Sequence, residues 1–339
     1  MSSIICVPMG DPAGVGPEIV AATIGDPVVA GESIVVVGGE GTLRHAAEIM
    51  KVAPEIRRLD PRGSIRAQAR PGLLNLVAVD ESAISGFTFG KVQAACGRIA
   101  YDCIAKAVAL AMAGEVDAVA TTPINKEALK AAQVPFIGHT EIFASLTKTA
   151  DPLTMFQVHD LRVFFLTRHL SLIDACRKVT KARLVDYIRR STLALRQLGI
   201  DNASLAVAGL NPHCGEHGLF GDEEGREIVP AVAEAQAAGF NVVGPKPADS
   251  VFHFAAEGAW DAVLSLYHDQ GHIATKMVDF HRTISLTLGM PILRTSVDHG
   301  TAFDIAGTGR VNPVSMVEAV RLAALYAGNF RRNADRAGD

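Results

Sequence analysis

The chain lacks a CxxC pair: its five cysteines, Cys6, Cys96, Cys103, Cys176 and Cys214, are odd in number and scattered. That spacing excludes a disulfide framework and implies free thiols in a reducing cytoplasm. A dominant charge is also missing. The 32 Lys+Arg and 36 Asp+Glu leave a formal net charge of −4, which gives no electrostatic footprint for nucleic acid or an anionic membrane. The one small basic cluster, Arg331, Arg332 and Arg336, reads as a solvated helix end. No apolar run approaches the ~20 residues needed to span a bilayer; the run after Ile104 carries Lys106 and stops at Gly114. The start, Met-Ser-Ser-Ile-Ile-Cys-Val-Pro, has neither the basic opening nor the long apolar core of a signal peptide. Internal repeats, low-complexity tracts and long linkers are missing too. Together these absences point to a cytoplasmic globular protein.

What is present is ample material for burial. Hydrophobic residues make up 49% of the 339 and charged residues 20%, enough for two domains of ordinary size. Short β-branched runs recur at Ile4–Met9, Ser33–Val37, Val116–Ala120, Ala203–Ala208, Phe240–Val243 and Ala262–Ser265. Between them lie helical patterns, over Thr42–Lys51, Gln93–Met112, Lys126–Ala132 and Ile173–Leu198, and one starting near Pro17. Asp60–Ser85 is the least regular segment and reads as loops and short strands. Continuous apolar strands alternating with amphipathic helices predict an α/β fold of mostly parallel sheets flanked by helices.

Three histidines follow strand-like runs: His169 after Val163–Arg168, His213 after Leu205–Pro212, and His268 after Val263–Tyr267. In open parallel sheets ligands bind beyond the carboxyl ends of strands. Three imidazoles converging there would form a metal site with open positions, a pattern suited to catalysis. Taken singly, each reads first as a satisfied polar residue at a loop entrance; only the three together bring the metal reading level with that one. His139 and Thr140, in Gly138-His-Thr-Glu141, read either as a grip for an anion or, through Thr140-Glu141, as a helix cap. Arg294, read as closing the apolar run Met290–Leu293, is suited to bidentate capture of a phosphate or carboxylate. Lys276 is a candidate acid or base. The glycines of Gly10–Gly16 and Gly38–Gly41 lack dinucleotide and Walker spacing and read as tight turns, the Gly38 turn being the candidate for ligand contact by fold-level reasoning.

At these residues the sequence resembles the 4-hydroxythreonine-4-phosphate dehydrogenase family. The matching segments are Met9–Glu18, Thr122–Lys126, Gly138–Glu141, Leu210–His213 with Gly215-Glu216, Gly244–Asp249, Tyr267–Gly271 and Arg294–Ala302, which cover almost the whole chain. The resemblance places the metal on His169, His213 and His268, and substrate on His139, Thr140, Lys276, Ser285 and Arg294. It implies a homodimer whose site is shared between subunits. Ser285 stands where biosynthetic members have a substrate-touching asparagine. Gly271-His272-Ile273 looks more like the branch acting on 4-phospho-D-threonate or 4-phospho-D-erythronate.

A wider resemblance, to the isocitrate and isopropylmalate dehydrogenases, implies two domains with the active site in the cleft between them. It suggests 1–128 plus 290–339 as the cofactor-side domain and 129–289 as the metal, substrate and dimerisation domain. It also places NAD on His299, Gly300, Ala302, Asp304 and Asn312. A carboxylate at Asp304 accepts hydrogen bonds from ribose hydroxyls and repels a 2′-phosphate, which favours NAD over NADP.

The expected reaction is metal- and NAD-dependent oxidation and β-decarboxylation of a small 4-phosphorylated 3-hydroxy acid, giving dihydroxyacetone phosphate. Lys276 or Asp249 is the expected proton-transfer group. Three neutral imidazoles suit zinc first, then cobalt or nickel, and magnesium least. The alternative substrate is 4-hydroxy-L-threonine 4-phosphate of pyridoxal phosphate biosynthesis. Lesser alternatives are a cis-dihydrodiol dicarboxylate dehydrogenase, a metal-dependent hydrolase and a non-catalytic sugar-phosphate sensor.

Overall fold

The computed structural model describes residues 3–337, with side chains through Asn333. Met1, Ser2, Gly338 and Asp339 lie outside the described residues, as does the side chain of Arg336 from the basic cluster. The chain divides into two units, Met1–Pro152 with Met290–Arg332, and Leu153–Gly289 with Asn333–Asp339. The first crossing follows Pro152 and not residue 128. Helices Lys126–Ala131 and His139–Leu146 both pack on the long helix Ala94–Met112, which keeps them with the first unit.

Strands β1 (Ile4–Pro8), β2 (Ser33–Gly38), β3 (Ile56–Arg58), β4 (Leu74–Ala78) and β5 (Ala118–Thr121) come from the first segment. The second unit supplies β6 (Leu153–Val158), β7 (Leu161–Phe165), β8 (Leu205–Ala208), β9 (Val242–Lys246), β10 (Ala262–Ser265) and β11 (Ile284–Leu288). The chain then returns to the first unit for β12 (Arg294–Val297). The first unit's strands are all parallel, in the order β3-β4-β2-β1-β5-β12. In the second unit β6 pairs antiparallel with β11 and β7, and β7, β10, β8 and β9 then run parallel. Burial explains the continuous runs: every residue of β1, β2, β5, β8 and β10 is buried.

The irregular segment Asp60–Ser85 hides β4, whose apolar run is broken by Asn75. That side chain is fully buried, donates to the carbonyls of Ile34 and Arg70, and accepts from Arg70 N–H at 2.9 Å, so its polarity is satisfied inside the sheet. Ile173–Leu198 proves to be two helices, Leu172–Arg177 and Lys181–Gln197. The break falls at Thr180, extended at φ −125° and ψ 148°, and the next N–H, of Lys181, is taken by Glu227 at 2.7 Å. β-Branched Val179 and Thr180 favour that extended stretch. All five cysteines are free thiols. Among the described residues no helix is long and apolar enough to cross a membrane.

Candidate active site

In the second unit β7, β10 and β8 are adjacent and parallel, with Val163 opposite Val263 and Leu264 opposite Val207. His169, His268 and His213 follow these three strands in turn, so all three emerge at one end of one sheet. Neighbouring strand ends are tied together there. Gln270 accepts from Leu266 N–H at 2.7 Å and donates to the Gly209 carbonyl at 2.8 Å, joining the exits of β10 and β8. Thr167 hydroxyl donates to the Leu266 carbonyl at 2.8 Å, joining β7 to β10.

The rings of His169 and His268 lie 5.8 Å apart. His268 Nδ1 sits 2.7 Å from Asp269, which leaves Nε2 as the nitrogen open to a metal. His213 is not brought to them: its ring lies 6.4 Å from Phe220, and among the described residues no group of three His, Cys, Asp or Glu side chains is close enough to hold a metal. Two of the expected ligands therefore fit a divalent ion by donor chemistry and spacing, and the third stands at the neighbouring strand end.

His213 opens a left-handed turn in which Cys214, Glu216 and His217 also have positive φ, between 43° and 56°. Each such non-glycine residue costs about 1–2 kcal/mol, and strain of this kind persists only where surrounding contacts over-determine the backbone. Glu224, 3% exposed, fixes the chain just before this turn: its carboxylate accepts from Leu210 N–H, Asn211 N–H and the Asn211 amide at 2.6–2.9 Å. Nothing local in the sequence marks Glu224 or Gln270 for these duties.

His268, His272 and Lys276 lie at i, i+4 and i+8 on the helix His268–Val278 and form one stripe. His272 stacks on His268 at 3.8 Å and 12°, with Phe156 and Phe165 on its other sides at 4.3 and 4.7 Å. Burial first, then electrostatic opposition from His268 and Lys276, lower its pKa to about 3, so it braces His268 as a neutral ring. Lys276 lies over Phe280 at 5.4 Å. Ser285 pairs with Phe156 across β11 and β6, which puts it on the sheet face that His272 packs against. Asp249 is exposed just beyond β9.

The candidate anion-binding residues lie in the first unit. Arg294 opens β12 instead of closing the run before it, and only 4% of it is exposed. Its Nε and Nη2 donate to Thr121 Oγ1 at 3.2 and 2.9 Å, and its guanidinium lies 5.1 Å from the Phe143 ring centre. Burial first, and Arg294 second, hold the His139 imidazole well below its ordinary pKa; its Nε2 is buried without a hydrogen-bond partner. His139 and Thr140 are the first residues of the helix His139–Leu146, and no side chain caps that helix. The capping alternative is thereby overturned, and the first-turn N–H groups suit an anion. Asp11, at the exit of β1, is fully buried; Oδ1 accepts from Ala13 N–H at 2.9 Å, Oδ2 has no hydrogen-bond partner, and burial pushes the pKa up to about 6.

The Gly38–Gly41 turn is closed by the chain itself. Glu81 accepts from Gly41 N–H at 2.6 Å and Thr42 N–H at 3.0 Å, and a Cβ on Gly39 would fall 2.1 Å from its carboxylate. An anionic ligand there would meet a like charge. The loop from His299 to Asn312 fits a cofactor better. His299 Nδ1 contacts the Gly300 carbonyl and Nε2 the Ser315 hydroxyl, both at 2.9 Å, so the ring has its faces left to offer. Gly300 has open space around it, and Ala302 holds φ +42°. Asp304 is exposed, and Asn312 accepts from Val314 N–H with Oδ1, which leaves its amide N–H as an outward donor.

The chain matches the family model described as pyridoxal phosphate biosynthetic protein PdxA over residues 30–323. A protein of Symbiobacterium thermophilum, provisionally named D-threonate 4-phosphate dehydrogenase, is 56% identical over 97% of this chain and 98% of its own length. A Fusobacterium nucleatum protein with the same provisional name is 54% identical over 98% and 99%. The crystal structure of 4-hydroxythreonine-4-phosphate dehydrogenase from Klebsiella pneumoniae superposes with a TM-score of 0.88 at 42% identity, covering 96% of this chain and 98% of that one. With sequence and fold in agreement over nearly the whole chain, the chain belongs to the PdxA family.

Proposed function

We propose that this chain oxidises the 3-hydroxyl of a 4-phosphorylated four-carbon hydroxy acid with NAD and then releases carbon dioxide. The observation that carries the reading is the exit of His169, His268 and His213 from three adjacent parallel strands. A divalent metal on these imidazoles, zinc by donor type, would supply Lewis acidity at the hydroxyl being oxidised. Arg294, His139 and Thr140 bind the substrate's anionic group, and the neutral imidazole of His139 accepts or donates a hydrogen bond without adding charge. The alcohol carbon gives hydride to NAD and the hydroxyl gives its proton to a base. Lys276 is that group, because it shares the helix stripe of His268 and His272; exposed Asp249 is the second choice. The same residue returns that proton to the enolate carbon left when carbon dioxide departs, which gives the ketone product.

Relatives at 54–56% identity carry the threonate name and the structure at 42% the hydroxythreonine name, which favours phosphothreonate or phosphoerythronate. Ser285 in place of asparagine fits the same preference. The product is then dihydroxyacetone phosphate; from the amino analogue it is 3-amino-2-oxopropyl phosphate. The test is NADH formation from 4-phospho-D-threonate, 4-phospho-D-erythronate and 4-hydroxy-L-threonine 4-phosphate, each with zinc, cobalt, nickel or magnesium. The first two are expected to lead, and no NADH from any of the three would end this reading.

A homodimer is part of the proposal. Ile273, Met277 and Phe280 are 63%, 80% and 60% exposed beside His268 and Lys276, around a cavity of about 400 Å³. Apolar groups so exposed beside functional residues mark a surface that something covers. Met277→Glu is expected to yield a folded monomer by sedimentation, with NADH formation lost. A dimeric, active variant would contradict the shared site.

A further inference from the structure

The Gly10–Glu18 segment, read in sequence only as a tight turn before a helix, is the floor on which the loop after β12 rests. Val15 N–H donates to the Thr301 carbonyl at 3.0 Å, and a Cβ on Gly14 would fall 2.8 Å from the Thr301 side chain. Glu18, 1% exposed in the first turn of the helix Gly16–Ile24, spans the far end of the same loop. Its Oε2 accepts from Gly307 N–H at 2.8 Å and its Oε1 from Gly309 N–H at 2.9 Å. Both glycines hold positive φ, +77° and +69°, and each is walled in: a Cβ would meet the Phe89 ring at 2.5 Å and the Ile49 carbonyl at 2.7 Å.

A buried carboxylate is costly unless its oxygens are hydrogen-bonded. Here two N–H groups two residues apart satisfy both oxygens, so the carboxylate and the loop conformation are mutually dependent. The two glycine N–H groups are consumed by Glu18 and are not available to a ligand. What the loop presents outward, Gly300, Asp304 and Asn312, is held in place from beneath.

We propose that Glu18 is a positioning residue for the dinucleotide: it sets the affinity for NAD by holding the loop's shape, without touching the cofactor. This rests on the reading of His299–Asn312 as the cofactor loop. Glu18→Gln keeps the shape but turns an amide NH₂ toward one glycine N–H, breaking one charge-assisted hydrogen bond. The expected result is a rise in the NAD dissociation constant of about tenfold, the worth of one such bond. It is measured by calorimetry on the metal-loaded enzyme without substrate. The KM for NAD rises in parallel, while kcat and the KM for the phosphorylated acid stay within about twofold, a split that general loss of structure would not produce.

Faster amide exchange at Gly307 and Gly309 in the variant is a second readout. Glu18→Asp, which keeps the charge, is expected to fall between the two and serves if the glutamine variant does not fold. An unchanged NAD affinity in folded variants, or equal losses for both substrates, overturns the proposal while leaving the functional reading intact. Wild-type enzyme that binds no NAD overturns both.

Discussion

Replacing His268 by glutamine is expected to remove bound metal and to lower NADH formation by about 10³-fold. Lewis acidity at the reacting oxygen is worth several kcal/mol, and about 4 kcal/mol corresponds to about 10³ in rate. Two features of the site make His268 the position of largest effect. Its Nδ1 is occupied by Asp269 at 2.7 Å, so Nε2 has one use left, and His272 locks the ring plane by stacking at 3.8 Å. His272→Leu removes the brace and keeps the ligand, and should weaken metal affinity by about 10–100-fold, the usual scale for an outer support of a ligand. Metal content by mass spectrometry and affinity by chelator competition separate the two variants. A His268→Gln enzyme that keeps its metal and most of its rate would sink the metal assignment.

The second large effect is expected at Arg294. Arg294→Met removes a buried guanidinium held by Thr121 and should lower kcat/KM for the phosphorylated acid by about 10³-fold. Two charge-assisted hydrogen bonds at about 1.5–3 kcal/mol each account for that loss. Arg294→Lys keeps the charge but not the planar fork and should recover part of it.

The same pair of variants tests the electrostatics. A positive neighbour opposes protonation of His139, so removing Arg294 lets that pKa rise, although burial, the larger cause, remains. If neutral His139 is the working form, the acid limb of kcat/KM moves to higher pH in Arg294→Met and stays in place in Arg294→Lys. Limbs that coincide in wild type and both variants would show that His139 does not titrate in the productive complex.

How much was legible in the sequence follows from how local each signal is. The α/β class was readable because a parallel strand buried on both faces is a continuous apolar run, as in Ile4–Pro8 and Leu205–Ala208. β4 was blurred because Asn75 interrupts it, and its polarity is satisfied by the Ile34 carbonyl of the neighbouring strand, out of local view. The helix break at Thr180 went unseen because its N-terminal N–H is met by Glu227, 46 residues away. Arg294 looked like a strand end, since Met290–Leu293 is the more apolar run. Its true place, opening β12 beside Thr121, depends on a partner 173 residues distant.

By itself the sequence determined the chemistry on offer: imidazoles after strands, an arginine and a histidine for an anion, a glycine-bearing loop before the last helix, and motifs specific to one family. Tertiary structure alone decided that β7, β10 and β8 are neighbours, because crossover connections, not chain order, set adjacency in a parallel sheet. It also decided that His169 and His268 meet at 5.8 Å while His213 stands apart on a left-handed turn that follows the Leu210–Asn211 segment anchored by Glu224. Across 289 residues of chain, it set the Glu18 carboxylate against Gly307. Such contacts are made where a buried polar group must find a partner, and no local pattern of residues encodes which one it finds.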